Sequence, residues 1–149
     1  MEGAAGSFVA LVCDDRPATR EAVRRLLLAT GFVVPGVTQT FGELSTAVGT
    51  HAARVAVVAL PLTGMAGLRA VRALRERSPQ CELVLLSASP ALERAAVAAG
   101  AKALVPEHDL RVLRAVLLEL AGAGPVVRRP RPRDYAPAVT GSVRRKPSS

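Results

Sequence analysis

Short apolar runs alternate with segments of helical periodicity along most of the chain. The run Val-Ala-Val-Val-Ala-Leu at 55–60 is unbroken and rich in β-branched residues, which is typical of a strand covered on both faces. The next segment, 68–77, places Leu68, Val71 and Leu74 at helical spacing. Because the same order of strand and helix occurs five times, the sequence predicts an α/β fold, with a doubly wound parallel sheet of five strands and helices on both faces.

The periodicity also predicts where each element begins and ends. The predicted strands are 8–13, 32–38, 55–60, 82–87 and 103–105. The predicted helices are 17–30, 41–48, 68–77, 91–99 and 109–121. Pro35 and Gly36 interrupt the second strand, which indicates an edge strand or a bulge. Asp109 is the predicted N-cap of the last helix, whose buried stripe consists of Leu110, Leu113, Leu117 and Leu120.

Ligand sites of doubly wound sheets lie outside the carboxyl ends of the strands. In this chain those ends carry Asp14, Asp15, Ala59, Ser87 and Glu107. The acidic pair after the first strand would repel a pyrophosphate, whereas paired carboxylates suit a hard cation such as Mg²⁺. The sequence therefore argues against a dinucleotide site and makes Asp14 and Asp15 candidates for a cation site.

Over residues 8–121 the chain resembles the receiver domain of response regulators, the module of two-component systems and of phosphorelay signal transduction. The resemblance rests on the acidic pair, on the Gly-Met-Ala-Gly turn at 64–67, on Ser87 at the end of the fourth strand and on the segment 100–107. It implies a flavodoxin-like fold of five βα units with the strand order 2-1-3-4-5. In this family a carboxylate at the end of the third strand accepts a phosphoryl group.

Three positions depart from the pattern of that family. Counted back from the turn, the acceptor position falls on Ala59, whose methyl group can neither attack phosphorus nor bind a metal. Glu107 replaces the lysine that the resemblance implies, and Leu104 replaces an aromatic ring that moves together with the residue at Ser87. The resemblance therefore implies an atypical receiver without a catalytic residue, in which Ser87 and Leu104 mark the switch positions. The alternative for Ser87 is a hydrogen-bonded hydroxyl at a strand end.

Asp14 and Asp15 leave two interpretations open. The pair is either a weak, vestigial Mg²⁺ site or an acidic turn that caps the first helix. The missing carboxylate at Ala59 removes a metal ligand, while the missing lysine at Glu107 removes a competing cation and brings a further carboxylate near. In both interpretations no cofactor is required.

The formal net charge of +8 is concentrated near one end of the chain. Residues 1–123 carry 13 basic and 11 acidic side chains, whereas 124–149 carry seven basic and one acidic. Because the second segment is rich in proline and poor in large apolar groups, it is predicted to be disordered and to contact nucleic acid only weakly and without specificity. The predicted organisation is a disordered N terminus at 1–7, a receiver-like domain at 8–121 and a disordered tail at 122–149.

No apolar segment reaches the ~20 residues that cross a bilayer, and the N terminus lacks the basic and apolar regions of a secretory signal. The sequence predicts a cytoplasmic protein without membrane contact. Cys13 and Cys81 are predicted at opposite edges of the sheet, so we interpret them as small buried hydrophobes, with a reactive thiol at Cys13 as the alternative. Three arginines are interpreted as a solvated helix face: Arg72, Arg75 and Arg77.

The resemblance implies that the protein is not an enzyme and acts in signal transduction by protein–protein contact, independently of phosphorylation. In this family the surface for dimerisation or partner docking lies at the fourth helix, fifth strand and fifth helix, here 91–121. One alternative is the remnant of a transcriptional response regulator that lost its helix-turn-helix domain, because the segment after the last helix is too short and too rich in proline to form one. Another is a sensor that binds a small ligand in the vacated acidic pocket, near Ala59 and Leu104.

Overall fold

The computed structural model describes residues 8–59 and 65–123. Its strands are β1 Ala10–Cys13, β2 Val37–Thr38, β3 Val55–Ala59, β4 Glu82–Ser87 and β5 Ala103–Pro106. Its helices are α1 Pro17–Ala29, α2 Phe41–His51, α3 Met65–Arg77, α4 Glu93–Ala98 and α5 Leu110–Ala123. The five strands form one parallel sheet in the order β2-β1-β3-β4-β5, which confirms the predicted fold class and strand order.

Helices cover both faces of the sheet, and each face has its own apolar layer. On one face α2, α3 and α4 contribute residues such as Leu44, Val71 and Ala96. On the other face α1 and α5 contribute residues such as Val23 and Leu117. Successive residues of β3 alternate between the two layers, as the two-residue period of a strand requires. Each large aliphatic side chain buried in this way contributes about 1.5–3 kcal/mol, so the core stabilises the sheet from both sides.

The second strand is shorter than predicted. β2 contains only two residues at the edge of the sheet, and a single bridge joins Val33 to Val9. Pro35 lies between these contacts and has no N–H to donate, so the hydrogen-bond ladder does not continue through it. The prediction of an interrupted edge strand is confirmed, while its extent over 32–38 is wrong.

The second and fourth helices depart from their predicted bounds in opposite directions. α2 continues to His51 and begins with a capping box, in which Thr40 Oγ1 accepts a hydrogen bond from the backbone N–H of Glu43 at 3.1 Å. α4 contains six residues only, because a 3₁₀ turn at Pro90–Leu92 takes the first part of the predicted helix. A proline is well suited to such a turn, since its fixed φ favours the start of a helix.

The last helix confirms its predicted cap and differs at both ends of its predicted extent. Asp109 Oδ1 accepts a hydrogen bond from the backbone N–H of Val112 at 3.1 Å. Leu110 is 39% exposed, because it is the first residue of the helix and lies where β5 has already ended, so its assignment to the buried stripe is wrong. The rest of the stripe is buried as predicted: Leu113, Leu117 and Leu120. The helix continues to Ala123, so 122 and 123 are helical rather than part of a tail.

Arg75 joins the loops at the edge where β4 and β5 begin, which we call the amino edge. Its Nε donates to the carbonyl of Gly100 at 3.2 Å, and its Nη1 donates to the carbonyls of Cys81, at 3.3 Å, and Pro79. Gly100 has a φ of 111°, and a Cβ atom added there would lie 2.8 Å from Arg75 Cγ. The interpretation of this arginine as part of a solvated face is wrong, because backbone carbonyls from three positions bind its guanidinium.

The strand register brings the carboxyl ends of four strands to the opposite edge. The pairs nearest to it are Cys13 with Val58, Ala59 with Leu86, and Ser87 with Pro106. Asp14 and Glu107 follow directly after β1 and β5 and therefore leave the sheet on this side. We call it the carboxyl edge, defined by Asp14, Asp15, Ala59, Ser87 and Glu107.

Three segments lie outside the described residues, namely 1–7, 60–64 and 124–149. The predictions of a disordered N terminus and of a disordered tail beyond Ala123 concern these segments. Within the described residues, none of the helices combines the length and the apolar character needed to cross a membrane.

Candidate functional site

Asp14 is buried at the carboxyl edge, with 3% of its surface exposed. Its Oδ1 accepts hydrogen bonds from the backbone N–H of Arg16 at 2.9 Å and from Arg16 Nε at 3.0 Å. Its Oδ2 accepts a third from Arg16 Nη2, also at 3.0 Å. A single neighbouring arginine thus satisfies both oxygens of the carboxylate, in the two-pronged geometry that a guanidinium favours.

The same guanidinium reaches the other side of the carboxyl edge. Arg16 Nη1 donates to Glu107 Oε1 at 3.1 Å. Because β3 and β4 separate β1 from β5, the two loops leave strands that are about 14 Å apart at the usual spacing. The hydrogen bonds to Asp14, together with the charges of Asp14 and Glu107, raise the pKa of Arg16 above its usual value. Arg16 therefore stays charged and joins two loops that the sheet does not pair.

Solvent reaches the arginine more easily than its partners. The side chain of Arg16 is 36% exposed, whereas those of Asp14 and Glu107 are 1% and 16% exposed. Water screens part of the attraction on the exposed side of the guanidinium. If the guanidinium were removed, the Asp14 carboxylate would lose its charged partner and keep the hydrogen bond from the backbone N–H of residue 16.

Asp15 takes no part in this arrangement. Its side chain is exposed and makes no hydrogen bond or ion pair within 8–59 and 65–123. The N-cap of α1 is Arg16, which makes no side-chain cap hydrogen bond, and the first turn holds no acidic residue. The interpretation of the acidic pair as a cap of the first helix is therefore wrong, because the Asp14 side chain binds Arg16 instead.

A divalent cation does not fit these carboxylates as they are arranged. Mg²⁺ requires oxygen ligands at about 2.0–2.1 Å, and both Asp14 oxygens already accept hydrogen bonds from a cationic group. Ala59 supplies no ligand atom. In the part of the chain that the structure describes, no group of three or more His, Cys, Asp or Glu side chains could hold a metal ion. The Mg²⁺ site at Asp14 and Asp15 stays a prediction.

Ala59 and Ser87 end the two central strands of the site. Ala59 is half-buried and offers only a methyl group. Ser87 is buried, and its Oγ accepts a hydrogen bond from the backbone N–H of Ser89 at 3.0 Å, while its carbonyl accepts one from Glu107 N at 3.1 Å. In this structure Ser87 is a hydrogen-bonded hydroxyl at a strand end, as one of the two interpretations predicts.

Leu104 lines a cleft of about 510 Å³ beside the carboxyl edge. The other lining residues come from the ends of β4 and β5 and from the start of the fourth helical segment: Ser87, Ala88, Pro90, Glu93, Pro106, Glu107 and His108. Most of this lining is apolar, and two carboxylates lie in it. Ala59, predicted to share a vacated pocket with Leu104, is not among the described lining residues.

The two cysteines are buried and free. Burial raises the pKa of the Cys13 thiol, and burial raises that of Cys81 to about 12. A thiol with a raised pKa is largely protonated at neutral pH and is then a poor nucleophile. These values favour the interpretation of both cysteines as buried hydrophobes.

Arg16 is the site residue that the sequence analysis missed. The signal was present, because a buried carboxylate after β1 requires a positive partner and the sequence has none at 107. Arg16 lies two residues after Asp14 and is the nearest basic side chain. Its contact with Glu107, 91 residues further along, could not be read from local spacing.

One family model matches the chain, over residues 10–108, and its description is the response regulator receiver domain. No curated protein matches the chain. Similar solved structures include the signal receiver domain of the response regulator NarL from Mycobacterium tuberculosis. It is 26% identical with a TM-score of 0.68, over 78% of this chain and 97% of that chain.

Two further solved structures show likeness of fold. A response regulator from Thermotoga maritima is 24% identical with a TM-score of 0.70, over 78% of this chain and 98% of that chain. A structure described as an atypical orphan response regulator with a phosphorylation-independent regulatory mechanism is 15% identical with a TM-score of 0.66, over 77% of this chain and 96% of that chain.

Proposed function

The chain belongs to the response regulator receiver domain family, and we propose that it is an atypical receiver that signals by protein–protein contact without being phosphorylated. Receiver domains are signalling modules and are generally not enzymes. The observation that carries the proposal is Ala59, which ends β3 where the family has its acceptor carboxylate. The sequence has no acidic residue from 60 to 67 that could replace it, and Asp14 is engaged by Arg16.

A phosphodonor tests this proposal directly. The purified protein is incubated with acetyl phosphate and Mg²⁺, beside a receiver that retains its acceptor aspartate as a positive control. We expect no acid-labile gain of one phosphoryl group in the intact mass and no change in oligomeric state. A phosphorylated wild-type chain would contradict the proposal.

Exposed apolar side chains support the surface at 91–121 as the place of contact. Four large apolar residues in this range are exposed by 39–52%: Val97, Leu110, Val112 and Leu118. They lie on α4 and α5, the helices that flank the edge strand β5 on opposite faces of the sheet. Large apolar groups at a surface favour association with another protein, either a second copy or a different partner.

Charge substitutions on α5 test the contact surface. Leu118→Glu should weaken self-association or binding of a partner, measured as the mass in solution by light scattering. Leu28→Glu is the matched control, because Leu28 is similarly exposed, at 45%, but lies on α1. Equal effects of the two substitutions would argue against a specific role of 91–121.

The cleft beside Leu104 favours a second candidate function, binding of a small ligand. Its mainly apolar walls and the carboxylate of Glu93 suit an apolar molecule that carries an amine. Benzylamine is a suitable probe, with benzoate as the control of opposite charge. Shifts of amide NMR signals around the cleft with benzylamine alone, abolished by Leu104→Phe, would support this function, and equal shifts with both probes would contradict it.

Other parts of the proposal rest on the sequence alone. These are the cytoplasmic location, the weak Mg²⁺ site and the contact of the basic tail with nucleic acid. A salt-dependent retention on DNA that disappears when 124–149 is deleted would support the third of these.

A further inference from the structure

We propose that Arg16 is the resident cation of the carboxyl edge and competes with a divalent metal ion for the carboxylate of Asp14. This inference deepens the proposed function and rests on one part of it, the absence of an acceptor carboxylate at Ala59. It concerns how this chain reduces the negative charge of its acidic edge, given the residues at 59 and 107.

The first step is the distribution of charge. Asp14 and Glu107 bring two carboxylates to the edge. The resemblance implies a lysine at 107, so this chain has a negative charge where a positive one is expected. Arg16 offsets one of these two negative charges, with one guanidinium bound to Asp14 by two side-chain hydrogen bonds and to Glu107 by a third. The positive charge thus comes from the β1–α1 loop rather than from the end of β5.

The second step is competition for the same oxygen atoms. A divalent ion at the edge would need at least one oxygen of Asp14 as a ligand, and each of these oxygens accepts a hydrogen bond from the Arg16 side chain at 3.0 Å. Binding would have to break these bonds and place a doubly charged ion next to a guanidinium. The arginine is tethered two residues away, so its effective concentration at Asp14 is far above that of a free ion.

The third step is that the arginine is suited to this position and a lysine is not. A guanidinium offers several donors in a planar fork, so it can bind Asp14 with two atoms while a third reaches Glu107. The ammonium group of a lysine is a compact charge that can neutralise one carboxylate but does not present this fork. Arg16→Lys should therefore keep the charge at the edge and lose the link to Glu107.

Metal binding by matched variants tests the proposal. The probe is Mn²⁺, followed by the paramagnetic broadening of amide NMR signals around residues 14, 59, 87 and 107. Wild type should bind Mn²⁺ weakly, and Arg16→Ala should bind it about tenfold more tightly or better, because Asp14 is freed and a repelling charge is removed. Arg20→Ala is the control, since this substitution removes the same charge, and within residues 8–59 and 65–123 the Arg20 side chain binds the Asp14 carbonyl, at 3.0 Å, and not its carboxylate.

The gain should depend on the Asp14 carboxylate. In Arg16→Ala/Asp14→Asn the tighter binding should be lost, and in Arg16→Lys the affinity should stay near that of wild type. Equal Mn²⁺ affinity of wild type and Arg16→Ala would overturn the proposal, as would an equal gain in Arg20→Ala. Phosphorylation of wild type by acetyl phosphate would contradict the proposed function and leave the ratio of Mn²⁺ affinities untouched, so the two failures are distinguishable.

A measurement on folded wild type and mild variants covers the case in which Arg16→Ala does not fold. The Arg16 Nε–H signal in the NMR spectrum should exchange slowly with water, and Glu107→Gln should shift it and speed its exchange. Glu93→Gln is the matched control, because Glu93 is a nearby carboxylate that makes no contact with Arg16 among the described residues. A signal that exchanges freely in wild type, or responds equally to both substitutions, would overturn the proposal.

Discussion

An arginine joins the loops at each edge of the sheet, and the two arginines differ in what they bind. Arg75 at the amino edge donates mainly to backbone carbonyls, including those of Gly100 and Cys81, and its one ion pair among the described residues, with Glu82 Oε1, is long at 3.7 Å. Arg16 at the carboxyl edge donates to the carboxylates of Asp14 and Glu107. Every residue supplies a carbonyl, so the amino edge depends on backbone geometry. The carboxyl edge depends on which side chains are present, and its contacts are therefore the ones that changes in sequence rearrange.

The largest effect should come from Arg75→Ala. It removes the partner of several backbone carbonyls at once, and we expect the free energy of unfolding to fall by about 2–3 kcal/mol. Because the carbonyl partners are neutral and the ion pair of Arg75 with Glu82 is long and partly exposed, most of the loss should persist at high salt. Urea denaturation measures it, with Arg72→Ala as the control, since Arg72 is exposed and donates to one carbonyl, that of Ala98, at 3.1 Å. Equal losses in the two variants would show that Arg75 has no special role.

Gly100→Ala tests the backbone at the same edge. The φ of 111° strains any residue with a Cβ atom, and that atom would lie 2.8 Å from Arg75 Cγ. We expect a loss of about 1–2 kcal/mol in the free energy of unfolding. The double variant with Arg75→Ala should lose less than the two separate losses combined, because the contact with Cγ is then relieved. Gly49→Ala in α2 is the control, with no atom near its new methyl group, and should be neutral or stabilising.

Arg16→Ala should have a smaller effect on stability, about 1 kcal/mol, because its side chain is 36% exposed and water replaces part of its contact with the carboxylates. The loss should shrink as salt is added, since exposed charges are screened. Denaturation at low and high salt measures this directly. The distinction between the two edges would be contradicted if the loss in free energy of unfolding were independent of salt for Arg16→Ala, or strongly dependent on salt for Arg75→Ala.

The smallest effect at neutral pH concerns the cysteines, one at each edge. The folded chain holds the pKa of Cys81 at about 12, above the usual 9.0, because burial disfavours the thiolate. Its stabilising contribution is fully present below pH 9 and is lost as the pH rises from there towards 12, since only the unfolded thiol ionises in this window. The free energy of unfolding should fall by at most about 1.4 kcal/mol per pH unit for this thiol. Cys81→Ala should flatten the fall, and an unchanged slope in that variant would show that other groups cause it.

The sequence predicted the sheet well because each strand is a local apolar run. The order of elements, the edge position of β2 and the cap at Asp109 followed from periodicity and from residues with restricted conformations. The predicted extent of β2 was wrong because the run of apolar residues continues through Pro35 while the hydrogen-bond ladder does not. The predicted burial of Leu110 was wrong because a helical pattern does not reveal where the neighbouring strand ends.

The site was predicted in part. The resemblance located Ala59, Ser87 and Glu107 at the carboxyl edge, and the strand register confirms this placement. The sequence indicated the loss of an acceptor at 59 and of a cation at 107, but it did not identify Arg16 as the cation at this edge. The link between Arg16 and Glu107 spans 91 residues, and a distant contact of this kind depends on the complete topology. Similarly, the carbonyl partners of Arg75 could not be predicted, because every residue has a backbone carbonyl whatever its type.

The ion pair between Arg16 and Glu107 also bears on how this chain can change over generations. A return of aspartate at position 59 would add a negative charge to an edge whose positive charge is already shared by two carboxylates. A return of lysine at 107 would put a second positive charge beside Arg16. The aspartate alone therefore meets an unfavourable charge balance, and its combination with the lysine relieves the repulsion. The arrangement therefore couples the two positions, because a carboxylate at 59 is accommodated more readily when position 107 changes with it.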